Sequence, residues 1–289
     1  MSSSSSAVRK TTGLLAKQLR HDLTVGLLHS WPKYVPVVLI FLIPAFQLAS
    51  LMRSEAALGH LAASFTTGDL VLYAFRGMEV YTPAQGTPFQ VPVVSLIVNL
   101  YLAYIIGSYP VQDLLGYGQQ LLLRSRRRGL WWAGKCVWNL ASVLTYYAAG
   151  WLTLLLATPL LGGTLSLIPT QALTALHMRA SAYIAKDLLL SAAVLPVLTS
   201  IALSLMQMGV MMYFKSLGGY VAVVCVTASS AYFFTPLLIG NCSMLLRSRL
   251  IRTDGIDFAV SVLSCLSVCL LAAAVGYLGF RNMDFLDKA

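Results

Sequence analysis

The chain is predicted to be an all-α, polytopic membrane bundle of six transmembrane helices, and three observations carry that expectation. First, 58% of its residues are hydrophobic and only 10% charged, with a mean hydropathy of +0.76. A soluble domain carries about 25% charged residues, so little water-soluble mass remains. Second, six stretches free of Asp, Glu, Lys, Arg and His lie at about 34–52, 91–111, 136–158, 188–212, 216–236 and 258–280. Each approaches the roughly 20 residues needed to cross the hydrocarbon core. Third, the densest positive cluster, Arg124, Arg126, Arg127, Arg128 and Lys135, sits in the short segment between the second and third stretches. Short loops rich in Arg and Lys stay on the cytoplasmic side, which orients the other segments.

The elements follow in order. Residues 1–33 form a cytoplasmic tail and an interfacial helix: Ser2 to Ser6 are polar, and leucines at 15, 19, 23 and 27 make one helical row. Residues 34–289 form one transmembrane domain. A polar loop at 53–90 precedes the second span and is expected to hold a short helix near Asp69 to Phe75. The uncharged run 136–176 is divided by Gly162-Gly163 into a third span and a weaker piece. That piece contains His177 and Arg179, and an Arg near a helix centre costs about 2.5–3.5 kcal/mol, so it reads as an outer-side segment. Pro236 and the Gly240-Asn241 pair divide the run 216–246 into a fifth span and a short re-entrant segment before the last span. With six spans, 13 of the 20 Lys and Arg residues fall inside, and Arg247, Arg249 and Arg252 fall outside. A seven-span alternative places 15 inside; charge favours it, while insertion cost opposes it.

The chemistry expected of this sequence is sparse. Proton relays, ion sites and intramembrane catalytic centres need ionisable groups within spans, and none is there. No acid, base or nucleophile cluster and no metal-ligand spacing appears, so no catalytic, cofactor or metal residue is assigned. The five cysteines are odd in number and mostly apolar in setting, so no disulfide is assigned. The net charge of +10 tracks topology and anionic head groups rather than nucleic acid. Gly129 to Cys136 mimics a phosphate-binding loop, but Cys136 replaces the metal-binding Ser or Thr and Trp131 and Trp132 would crowd the phosphate. Trp131, Trp132, Lys135 and Trp138 read instead as anchors at the water–membrane boundary. Asn99, Asn139, Gln207 and Asn241 are the candidate pathway residues. Asp113, Gly116, Leu121, Leu122, Leu123, Arg124 and Arg126 lie in a cytoplasmic segment polar enough, and tied closely enough to a span, to meet a soluble partner.

Several ordered motifs carry a family resemblance. They are Gly68-Asp-Leu-Val-Leu-Tyr-Ala-Phe-Arg-Gly-Met78, Tyr109-Pro-Val-Gln-Asp-Leu-Leu-Gly-Tyr-Gly-Gln119, Trp131-Trp-Ala-Gly-Lys-Cys-Val-Trp138 and the run from Ala231 to Ser248 containing Gly240-Asn241-Cys242-Ser243-Met244. They lie in two regions, about Gly68 to Tyr147 and Leu195 to Ser248, which together span somewhat under half the chain, and there the sequence resembles the short bacterial ABC type-2 transporter permeases. Cys242, where an aromatic residue is expected, and the basic run at 126–128 depart from the pattern. The resemblance implies a permease subunit of an ATP-driven exporter in the bacterial cytoplasmic membrane. It implies a separate ABC ATP-binding subunit supplying ATP and Mg, a second permease chain, membrane lipids as surroundings, and no cofactor in this chain. An amphipathic or hydrophobic substrate follows, with antimicrobial peptides and lipid-like compounds as candidates. The competing expectation is a non-transporting membrane scaffold or sensor.

Overall fold

The structure, a computed structural model, describes residues 13, 16–60, 64–81, 89–116, 118–120, 122, 128–169 and 182–281. Among these the regular structure is helical; backbone bridges occur only singly, between Thr66 and Thr164 and between Ser248 and Ile256. Helix α1 covers residues 16–23 and runs into a π-helical turn, Thr24–Leu28. It is followed by α2 (Val35–Ala57), α3 (Thr67–Ala74), α4 (Val93–Leu114), α5 (Arg128–Leu160), α6 (Ala182–Tyr232) and α7 (Phe258–Arg281). Five of these helices are long and apolar enough to cross a membrane.

Helix α6 is two arms joined at a break, where Lys215 adopts φ 62° and ψ −179°. That backbone region is nearly confined to glycine and costs about 1–3 kcal/mol for another residue. Gly219 packs on Gln207 and Met211, and Leu203 shares a cluster with Val226. Both pairings centre on the break, so the arms are antiparallel. The expected boundary between the fourth and fifth segments therefore falls where the chain turns.

Contacts between helices give each a direction. Phe41 meets Tyr146 and Tyr147, and Arg53 donates to Leu161 O, so α2 runs parallel to α5. Tyr109 meets Trp138 while Tyr146 donates to Val98 O, so α4 runs opposite to α5. Thr199 pairs with Cys265 and Gly209 with Gly276, so the first arm of α6 runs parallel to α7. The bundle thus has one end carrying α1, the segment joining α4 to α5, the α6 break and the end of α7.

The opposite end is closed by loops. Thr66 and Asp69 form a capping box on α3, and Thr66 also donates to Ile168 O. A Thr, two intervening residues and Asp form a known helix-start pattern, which places the short helix close to where the sequence expected it. Leu245 N and Leu246 N donate to Phe75 O and Arg76 O. Residues 164–169 are extended against this layer rather than helical, so the weaker apolar piece does not begin as a span.

The segment expected to be re-entrant is two 3-10 turns, Ile239–Ser243 and Leu245–Arg247, buried between the second arm of α6 and α7. Its centre is Arg247, which was expected to face outward and is instead buried. The guanidinium donates to Met78 O at 3.2 Å, Ser230 O at 2.5 Å, Glu79 O at 3.3 Å, Ala231 O at 2.8 Å, and to Asn241 Oδ1. An arginine has five N–H donors, and all five directions are used. Burial pulls the guanidinium pKa down to about 10, so it stays charged at neutral pH. Ser230 and Ala231 end the second arm, where cations are favoured by the helix dipole.

Candidate functional site

The principal polar site lies at the α1 end and is built from three elements. Helix α1 was expected to lie in the interface plane on its leucine row. Gln18, Asp22 and Gly26, spaced one turn apart, face the protein, while Leu23 is exposed and Leu19 and Leu27 are half-buried. The sequence assigned α1 to the interface from its leucines alone, and the polar row went unread. The leucines turned away from the protein still suit a helix lying against lipid.

Helix α5 supplies the second side. Its 33 residues span about 50 Å at 1.5 Å per residue, longer than the roughly 30 Å hydrocarbon core. The helix begins at Arg128, eight residues before the expected third span, so Gly129 to Cys136 is helical rather than a loop able to wrap phosphate. The last turn of α4, with Tyr109 and Asp113, is the third side.

Lys135 stands at the centre with no exposed surface. Its Nζ lies 2.5 Å from Asp22 Oδ1 and 2.8 Å from Asp113 Oδ2, both carboxylates buried. Tyr109 OH donates to Asp22 at 2.8 Å, and Trp131 Nε1 donates to Asp113 at 2.9 Å. Gln18 Nε2 donates to Trp131 O at 3.0 Å, and His21 Nε2 lies 3.8 Å from Asp113 Oδ1. The ammonium also sits 4.4 Å from the Tyr109 ring centre, a cation–π contact that strengthens when desolvated. Gly118 brings the chain back onto this cluster; a side chain there would strike Asp113 and the Trp131 indole. One ammonium therefore ties α1, the end of α4 and the start of α5 together, clamping both ends of the segment that joins α4 to α5.

The structure revises several assignments. Trp131, Trp132, Lys135 and Trp138 are buried in protein and do not anchor a lipid boundary. Trp131 stacks on Phe280 at 4.5 Å, Trp132 donates to Ala273 O beside Gly276, and Trp138 packs on Tyr109 and Gly26. The reason is geometric: α1 and α7 cover the first turns of α5, which the sequence left open to lipid. Asp113 was expected to meet a soluble partner directly, but it is buried and engaged. Gly116 closes the turn by donating to Asp113 O, and Leu122 is buried. Leu121, Leu123, Arg124 and Arg126 lie outside the described residues.

The candidate pathway residues divide. Asn99 Oδ1 accepts from Ser200, whose hydroxyl lies 2.8 Å from Tyr147 OH, and Gln207 Nε2 donates to Ala103 O. Asn99 and Gln207 share a cavity of about 10 Å³ with Ser200 and Ser204, room for about one water. Asn241 is structural, donating to Phe233 O and Thr235 O and accepting from Arg247. Asn139 is buried on α5 apart from both sets. Among the described residues no group of three or more His, Cys, Asp or Glu is placed to hold a metal ion. The chain matches no known protein family, no curated protein and no solved structure.

Proposed function

We propose that this chain is the membrane-spanning permease subunit of an ATP-driven exporter in a bacterial cytoplasmic membrane. The observation that carries the reading is where the resemblance motifs fall. Tyr109, Asp113, Trp131, Lys135 and Trp138 meet at the α1 end, while Gly240, Asn241 and Arg247 meet at the other. Residues that share a motif and assemble into two polar centres describe a working architecture rather than generic helix packing. The clamp on the segment joining α4 to α5 supports that segment as the contact for a soluble ATPase. Force applied to a clamped segment reaches α5 and α1 together.

In this reading the two arms of α6 are separate crossings, giving six, with the α1 end cytoplasmic. On a background free of native cysteines, an impermeant thiol reagent applied to intact cells is expected to label Thr253→Cys, which is exposed at the loop end. Lys215→Cys and Lys288→Cys should label only after lysis. External labelling of Lys288→Cys would refute the six-crossing topology.

The transport reading has its own test. Purification of the chain from solubilised membranes should bring down a second permease chain and an ATP-binding protein, with ATPase activity raised by an amphipathic substrate. A chain that purifies alone, with no associated ATPase, is what a scaffold or sensor would give.

A further inference from the structure

The seam between the N-terminal segment and α5 holds more polar atoms than the protein satisfies. Asn139 is fully buried one turn beyond Lys135, yet neither its amide nitrogen nor its oxygen has a hydrogen-bond partner in the protein. The Trp138 indole nitrogen is also unpaired and lies against Gly26 of the π-helical turn. Asp22 Oδ2 is in the same condition, and the Tyr34 and Ser142 hydroxyls, turned toward each other, have no other partner in the protein. Helical spacing puts Lys135, Asn139 and Ser142 on one face of α5.

Buried polar groups are normally paired, and each exception needs a cause. Here the deficit is concentrated: Asp22, Tyr34, Trp138, Asn139 and Ser142 border one seam, whereas among the described residues the other such atoms, on Trp151, Ser191 and Gln207, lie singly elsewhere. The orphaned atoms mix donors and acceptors. Such a set suits water, which gives and takes hydrogen bonds, better than an ion of either sign. The seam is bordered by a π-helical turn, a feature frequent where helices serve a function. Its fit depends on Gly26, since any side chain there would collide with Trp138 and Tyr109. At the Lys135 end, His21 is partly exposed, so solvent already reaches the margin of the cluster.

We propose that this seam is an internal hydration site: water enters past the Lys135 end, along the π-helical turn, and binds Trp138, Asn139 and Ser142. The site stands independently of the transport reading, because it needs only the seam and its unpaired groups.

The test is thiol chemistry in the full-length protein, in inverted membrane vesicles and without native cysteines. Ser142→Cys and Asn139→Cys are treated with a small water-soluble methanethiosulfonate, with Leu144→Cys on the exposed apolar side of α5 as reference. Both seam thiols should react at least about ten-fold faster than the reference, because the reactive thiolate forms where water is present. Ser142→Cys is nearly isosteric and decides the question if Asn139→Cys does not accumulate. Seam thiols no faster than Leu144→Cys would show the seam to be dry and closed, and would overturn the proposal.

Discussion

Lys135→Met is expected to lower the stability of the solubilised protein by about 3–5 kcal/mol, because it leaves the carboxylates of Asp22 and Asp113 buried without their cation. A methionine matches the stem of lysine in size, so the loss comes from charge rather than from a hole. The same reasoning gives a contrasting result for the triple change Asp22→Asn, Asp113→Asn and Lys135→Met. Replacing every charged member of a buried ion-pair set is often neutral or better, since the cost of desolvating the ions disappears with them. Thermal unfolding in one detergent should therefore rank the triple variant well above Lys135→Met. Equal melting of Lys135→Met and the parent would show that the ammonium is not confined to this cluster.

Arg247→Met is expected to cost at least about 3 kcal/mol, for a different reason. The five acceptors that Arg247 serves are mostly backbone carbonyls, which remain in place when the side chain is removed. Each buried acceptor left unpaired costs about 1–3 kcal/mol unless water reaches it. Because these carbonyls come from residues 78–79 and 230–231, the damage should be confined to the loop end. Limited proteolysis is expected to open new cuts within 233–257 while the α1 end stays protected. A variant cut at the parent's rate would mean that the re-entrant turns hold without the guanidinium.

Much of the fold was legible because hydrophobic length is a strong signal and the chain has little else. The apolar stretches, the turn near Lys215, the short helix after Thr66 and the irregular segment around Gly240-Asn241 all follow from local composition. The Lys135 cluster was not legible. Asp22 and Lys135 are 113 positions apart, and nothing in either neighbourhood names the other. Read alone, a lysine beside tryptophans at the edge of an apolar run is a head-group contact. It becomes an internal cation only because α1 turns Gln18 and Asp22 inward. One signal was available: Asp22 and Asp113 are acidic residues bordering spans on the side otherwise marked by positive charge. Arg247 was misplaced for a related reason, since counting charges for topology treats every arginine as solvated.

The break in α6 bears on how this molecule can deform. With two residues between antiparallel arms, that turn offers no lever: the arms are stiff struts with no slack between them. At the same end, the last turn of α4 and the helix before α2 are both pinned through the ammonium of Lys135. Neither can shift without the other. A displacement of either reaches the first turns of α5, where Trp131 and Trp132 bear on α7.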